Sequence, residues 1–464
     1  MSLLVALAAI AVTTTPADAQ VLTWDPNGAS AGTGGNGSWD TTSLYWTGTS
    51  GTRAWPTTSS TSNDALFAGT SGTVTVQAGG VNVNEMTVSS DYTFTGGLLN
   101  FSNGLGAGTY PPVNSITVSS GATMNLRTTM NAYLGFSRLG SGTLVINGNV
   151  TVNFGTQSVG SDVYEGLTLM QSGTYTRNSS RNAMTIGTAN GGSFIQTGGN
   201  VNLSTAAGGF GASLNGFYGL YSGALTIPFG QGGANSYFNV NSGGVFHQRG
   251  GSIGQNWANV DQGVGVNGVL YATGGTASLP SSPVRNLIVG STGLLAITGS
   301  AQWAMGSGMS ISSGGMLALN GAGDGVNGGR LTLAQNSVPS ALLGTGSAAV
   351  SFDGGILRAG VSTTTFMQGF GTAQINALGA TIDSQGFDIT IAQNLSAPTG
   401  SGLTSIALTG SGSGYIGAPQ VRLSGGGGSG ATAVAEFDYT TGQVTGITIT
   451  SPGSSSTGRS SSTT

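Results

Sequence analysis

The chain has no cysteine and no lysine. Without thiols it has no disulfide framework, no thiolate metal site and no cysteine nucleophile. Its only cations are 11 arginines, scattered singly. With a net charge of −4 and a pI near 4.7, the positive footprint that a nucleic-acid backbone requires is missing. Charge of either sign is scarce: 6% of residues carry it, where about 25% is usual. Ser, Thr, Asn and Gln must therefore dress the surface. Proline is low at 12 residues and the glycines follow no triplet, which excludes collagen. No internal apolar run is long enough for a membrane-spanning helix.

Glycine is what abounds, at 85 of 464 residues, and it recurs in short phrases with apolar residues between. Gly293-Leu294-Leu295-Ala296-Ile297-Thr298-Gly299 returns as Gly315-Met316-Leu317-Ala318-Leu319-Asn320-Gly321. Gly244-Val245-Phe246-His247-Gln248-Arg249-Gly250-Gly251 returns as Gly268-Val269-Leu270-Tyr271-Ala272-Thr273-Gly274-Gly275, and an earlier copy runs from Gly192 to Gly199. A period of about 20–25 residues built from short strands and glycine turns marks a β-solenoid. Each such unit must stack on its neighbours to bury its apolar face, so the fold becomes a rod. Intrinsic disorder would leave few apolar residues, whereas this chain is 38% apolar in ordered alternation.

Five regions are expected. Residues 1–19 read as a secretory signal peptide, with an apolar core from Leu3 to Val12 and a small-x-small site at Ala17-Asp18-Ala19, although the n-region lacks a cation. Residues 20–70 hold Trp24, Trp39, Trp46 and Trp55. They read as an N-terminal cap that plugs the first coil's open edge; the alternative is a carbohydrate-stacking platform of exposed rings. From 71 to 396 the solenoid runs, with in–out alternation in strands such as Val74-Thr75-Val76 and Val150-Thr151-Val152. Unequal spacing predicts that its loops collect on one or two sides. Residues 397–453 form a glycine-rich β module in which Ser405–Thr409 matches Gly446–Thr450, with a strand over Ala431–Phe437 between them. Residues 454–464 are a disordered Ser/Thr tail without the alternating segments of an outer-membrane barrel.

Chemistry has few footholds. Glycoside hydrolysis needs two carboxylates on one site, and the near pairs are Asp162 with Glu165, beside Tyr164, and Asp383 with Asp388. Neither spacing places both groups on one strand face, so solvated turn carboxylates are expected. His247 is the only histidine and has no evident triad partners. Gly306-Ser307-Gly308 is only a fragment of a nucleophile elbow. Gly321–Gly329, with Asp324, approaches a calcium-roll repeat but occurs once. No catalytic, cofactor or metal residue is assigned.

Several stretches resemble the autotransporter-associated β-strand repeat proteins of bacterial surfaces. They are Thr23-Trp24-Asp25 through Trp46 to Phe67-Ala68-Gly69, the Gln-Thr-Gly-Gly and Gly-Gly-Ile-Leu-Arg phrases at 196–199 and 354–358, Ala380–Phe387, and the glycine-rich module. The resemblance implies a right-handed parallel β-helix passenger, exported and held at or released from the cell surface. The combined expectation is an all-β parallel β-helix acting as a structural or adhesive surface protein without catalysis or cofactor. Its partners would be surface polysaccharide or a host or neighbouring cell surface. The alternative is a β-helix polysaccharide hydrolase or lyase.

Overall fold

The computed structural model describes residues 20–28, 32–56, 63–101, 114–133, 135–153, 162–178, 183–203, 211–227, 238–255, 264–279, 287–334 and 341–454. The leader at 1–19 and the tail from 455 lie outside them. Every regular element among the described residues is a β-strand. None is a helix able to cross a membrane.

Strands of three to six residues wind into three long sheets of 17, 14 and 13 strands, here sheets 1, 2 and 3. Ser115–Val118 lies in sheet 1, Thr123–Leu126 in sheet 2 and Thr129–Tyr133 in sheet 3. The chain then returns to sheet 1 as Phe136–Leu139, parallel to and directly against Ser115–Val118. Repetition of this path stacks thirteen coils, one strand of each in sheet 3. This is a parallel β-helix, consistent with the right-handed winding expected of parallel crossovers.

Alternation builds the interior. In Val150–Asn153, Val150 and Val152 point inward while Thr151 and Asn153 point out. Like residues stack on like from coil to coil. Phe194, Tyr218 and Phe246 form a run of stacked rings 5.3 Å apart, and later coils continue with Leu270, Leu295 and Leu317. The longest connections leave sheet 3 and enter sheet 1, as between Phe101 and Ser115 or Ile227 and Phe238. Insertions therefore gather at one corner, as the uneven period predicts.

The opposite corner, from sheet 2 to sheet 3, is tightly specified. Gly223 and Gly251 stack there with φ of +86° and +66°. A Cβ on Gly223 would meet the Gly199 carbonyl oxygen of the coil below at 2.2 Å, so both conformation and space require glycine. Inward-facing glutamines fix the same corner. Gln248 donates to the Thr276 carbonyl at 3.0 Å and accepts from the Trp303 indole at 2.9 Å; Gln196 accepts from Tyr218 and donates to Gly199 and Ala224. Gln248→Leu leaves a buried indole N–H and a carbonyl unmatched. It is expected to lower stability by about 2 kcal/mol, read as a shift in the urea midpoint; an unchanged midpoint would remove the amide's structural role.

The first coils are closed by aromatic rings. Gln20–Trp24 runs parallel to Asn63–Phe67 in sheet 1, and Gly37–Trp39 parallel to Gly72–Val76 in sheet 2. Trp46–Gly48 and Gly51–Arg53 extend sheet 1 outward in antiparallel sense. Trp24, Trp39, Trp46 and Trp55 are all at most 1% exposed, so none offers a ring to a sugar.

Ser396 still pairs in parallel with Gln374 of sheet 2; beyond it the chain leaves the rod, turns back and lies along the outer face of sheet 2. Thr432–Asp438 and Gln443–Ser451 form an antiparallel hairpin, here called the strap. Ser405–Thr409, expected to mirror the second hairpin strand, forms none. The strap explains a feature of the repeated phrases. Leu294–Ile297 is buried at all four positions: it is apolar on both faces rather than alternating, because one face packs in the rod and the other under the strap.

Candidate functional site

The residues singled out from sequence do not converge. Asp162 begins a sheet 1 strand and points into the rod, where its Oδ2 accepts from Arg177 Nε at 2.6 Å; both side chains are 0% exposed. Burial pushes the Asp162 carboxyl up to about 6 despite the adjacent cation. Tyr164 also points inward, its hydroxyl 2.5 Å from that of Tyr175. Burial drives both phenols well above their ordinary range, so they stay protonated. Glu165 lies on the outer side of the same wall, bonded by Thr188 at 2.7 Å and Asn190 at 3.0 Å. Despite its partial burial these bonds hold its carboxyl below the ordinary value. The two carboxylates thus face opposite sides of the coil.

Asp383 ends the last sheet 3 strand and is ion-paired with Arg358 at 2.9 Å. Its hydrogen bonds from Gln385 and the Arg358 charge lower its carboxyl. Asp388 is exposed beyond the Gln385–Phe387 turn. Ser307 is fully buried between two strands and offers no accessible nucleophile. Asp324 is engaged by its own turn: Oδ1 accepts from the N–H groups of Val326 at 2.9 Å and Asn327 at 2.7 Å, and Oδ2 from the Asn327 amide. Among the described residues no group of three or more His, Asp or Glu side chains could hold a metal ion.

His247 lies on the outer face of sheet 2 but beneath the strap, 1% exposed. Its ring centroid is 4.7 Å from that of Tyr271, Nε2 is 3.5 Å from Thr273 Oγ1, and Nδ1 has no hydrogen-bond partner. Burial, reinforced by the Arg249 charge, pulls its pKa down to about 3.

Sequence reasoning missed the cations inside the rod. Arg177 occupies an inward position of Thr174–Asn178, and Arg138 one of Phe136–Leu139. The Arg138 guanidinium donates to the carbonyls of Leu139, Gly140 and Gly142; desolvation lowers it to about 10. Cations at inward positions of alternating strands were the available signal.

Among the described residues, two outward surfaces carry groups suited to a ligand. A cleft of about 660 Å³ lies where the strap's Thr448 and Ile449 meet the rod, with Ser300, Gln302, Asn327 and Arg330 among its walls. The second is the outer face of sheet 3. Hydrogen-bond register places Asn82, Asn100, Asn131, Thr151, Thr176, Asn202 and Thr226 in one column, one per coil. The Asn100 amide donates to Asn82 at 2.6 Å. Tyr133, 46% exposed, stands beside this column, with Asn153 and Asn178 following it in register. No charged residue enters the column before Arg358.

Over 158 residues the chain is 36% identical to the adhesin BmaC autotransporter of Brucella suis biovar 1 (strain 1330). The match covers 31% of this chain and 4% of that protein, so the chain spans a small fraction of that relative's length. No protein-family model matches the chain, and the repeat-family resemblance stands on its motifs alone. No solved structure matches it.

Proposed function

We propose that this is an exported, passenger-like surface rod whose work is structural and adhesive rather than catalytic. On this reading residues 1–19 are its leader, 20–70 its cap, 71–396 the displayed solenoid, 397–453 the accessory module and 454–464 the tail. The observation that carries the reading is the uncharged amide and hydroxyl column on sheet 3. It repeats hydrogen-bonding groups at the roughly 4.8 Å separation of adjacent strands. An extended, equatorially linked polysaccharide advances by nearly that distance per sugar, so successive rings meet equivalent groups without an opposing charge to desolvate. The exposed Tyr133 ring offers a stacking surface beside them. The partial likeness to an autotransporter adhesin supports the same reading.

The test is incubation with a panel of bacterial and plant polysaccharides, following polymer size and co-elution by chromatography. The expected result is polymers of unchanged length, at least one of which co-elutes with the protein. Thr151→Arg with Thr176→Arg, both on the outer face, is expected to weaken that retention at least about tenfold, which corresponds to about 1.4 kcal/mol. Shortened polymers would overturn the non-catalytic reading. Retention indifferent to the two arginines would remove the sheet 3 column as the binding face.

A further inference from the structure

The strap covers a strip that differs from the rest of the rod's exterior. On early coils the outward positions of sheet 2 are Thr75, Thr93 and Asn125. Under the strap they become Phe217, Val245, Tyr271, Leu294 and Met316, each at most 8% exposed. Uncovered, these would expose an apolar patch; the strap of the same chain is what occupies it, through Val434 and Phe437. Few polar contacts hold the cover: Glu436 to Arg249 at 2.7 Å and to Tyr271 at 3.1 Å, Asn320 to the Thr450 carbonyl at 2.9 Å, and Ser351 to Ser451 at 3.0 Å among them.

We propose that the strap is a releasable cover over this apolar strip of sheet 2, and that acid releases it through His247. The imidazole lies in the strip between Val245 and Tyr271, closed over by Ala433–Ala435 of the strap and by the Ala418–Gln420 segment. A protonated ring needs acceptors for two N–H groups, and here Nδ1 has none. Its charged and titratable surroundings are Arg249 on its own strand, Tyr271 on the next coil, Tyr221 on the preceding one and Glu436 on the strap. The Glu436 oxygens are taken by Arg249, Tyr271 and Thr448, and the two tyrosines stay neutral because burial raises both. Nothing therefore rewards a proton on His247 while the strap is closed.

The sign follows from the depressed pKa. The covered ring titrates near 3, whereas an uncovered one titrates near 6.5. The open form binds more protons between these values, so closure is fully favoured above pH 6.5 and weakens as pH falls toward 3. At pH 5 the closing constant is about 30-fold below its value at pH 7.5.

Hydrogen–deuterium exchange of the full chain, corrected for the intrinsic pH dependence and read on peptides covering 432–451, tests this. From pH 7.5 to 5 the opening constant is expected to rise about 30-fold in the wild type and less than about twofold in His247→Gln. Glu436→Gln is expected to open more readily at every pH while keeping the slope. His247→Phe preserves the stack on Tyr271 and serves as a second variant should the glutamine fail to fold. A wild-type strap indifferent to pH, or a slope that survives removal of the imidazole, would overturn the proposal.

Discussion

Replacing Arg177 by methionine is expected to cost about 3–5 kcal/mol at pH 8, because it leaves the Asp162 carboxylate alone inside the rod. The loss depends on pH. Burial already raises the folded-state Asp162 to about 6 with its partner in place, above the unfolded value near 3.9. The folded protein thus holds more protons between these values, and wild-type stability falls as pH rises from about 4 to 6, then levels. Without Arg177 the folded pKa climbs further, so the decline continues past neutrality and the variant is least impaired in acid. Adding Asp162→Asn removes the charge and is expected to restore most of the loss, as replacing both members of a buried pair often does. Urea denaturation of the wild type and both variants at pH 5 and pH 8 measures this. A loss equal at both pH values would mean that Arg177 acts through packing rather than charge.

Trp39→Ala is expected to be as damaging, by about 3–5 kcal/mol, and to change solubility as well. The Trp39 ring lies 4.9 Å from Trp55, 5.0 Å from Trp46 and 5.3 Å from Phe67. Its removal hollows the cluster beneath Trp46–Gly48, the strand that begins the antiparallel extension of sheet 1. Loosening that extension uncovers an unpaired strand edge, the template on which β-rich chains aggregate. Light scattering during thermal unfolding should therefore rise earlier in Trp39→Ala than in the surface control Leu44→Ala. Trp39→Phe should cost much less, since it keeps most of the ring volume and deletes an indole N–H without a partner. A soluble, normally stable Trp39→Ala protein would show that the cluster is dispensable.

The fold was legible because its causes are local and repeated. In–out alternation, stacked like residues and glycine corners all act between adjacent coils, and each leaves a periodic trace in the sequence. The strap left a subtler one. Gly192–Gln196, Leu294–Ile297 and Met316–Leu319 carry apolar residues on both faces, the mark of a strand covered twice, while the early sheet 2 strands carry Thr and Asn outside. The covering residues themselves, 100 or more positions downstream, have no spacing that points back to these coils. The candidate site was illegible for a related reason. Asp162 and Glu165 are neighbours in sequence, yet the wall of the coil runs between them, and their partners come from elsewhere: Arg177 from the sheet 3 strand Thr174–Asn178, and Thr188 from the turn after Met184–Ile186.

A rod of stacked coils is mechanically a chain of links in series, each engaging only the next, and under load or denaturant such a chain comes apart from its weakest end. The strap alters that logic over part of the length. From Phe437 against Phe217 to Ser451 against Ser351 it runs across the links like a splint on a jointed bone, so that no single joint beneath it can bend without all of them. The splinted stretch should yield as one block, and the bare coils before it should yield one at a time.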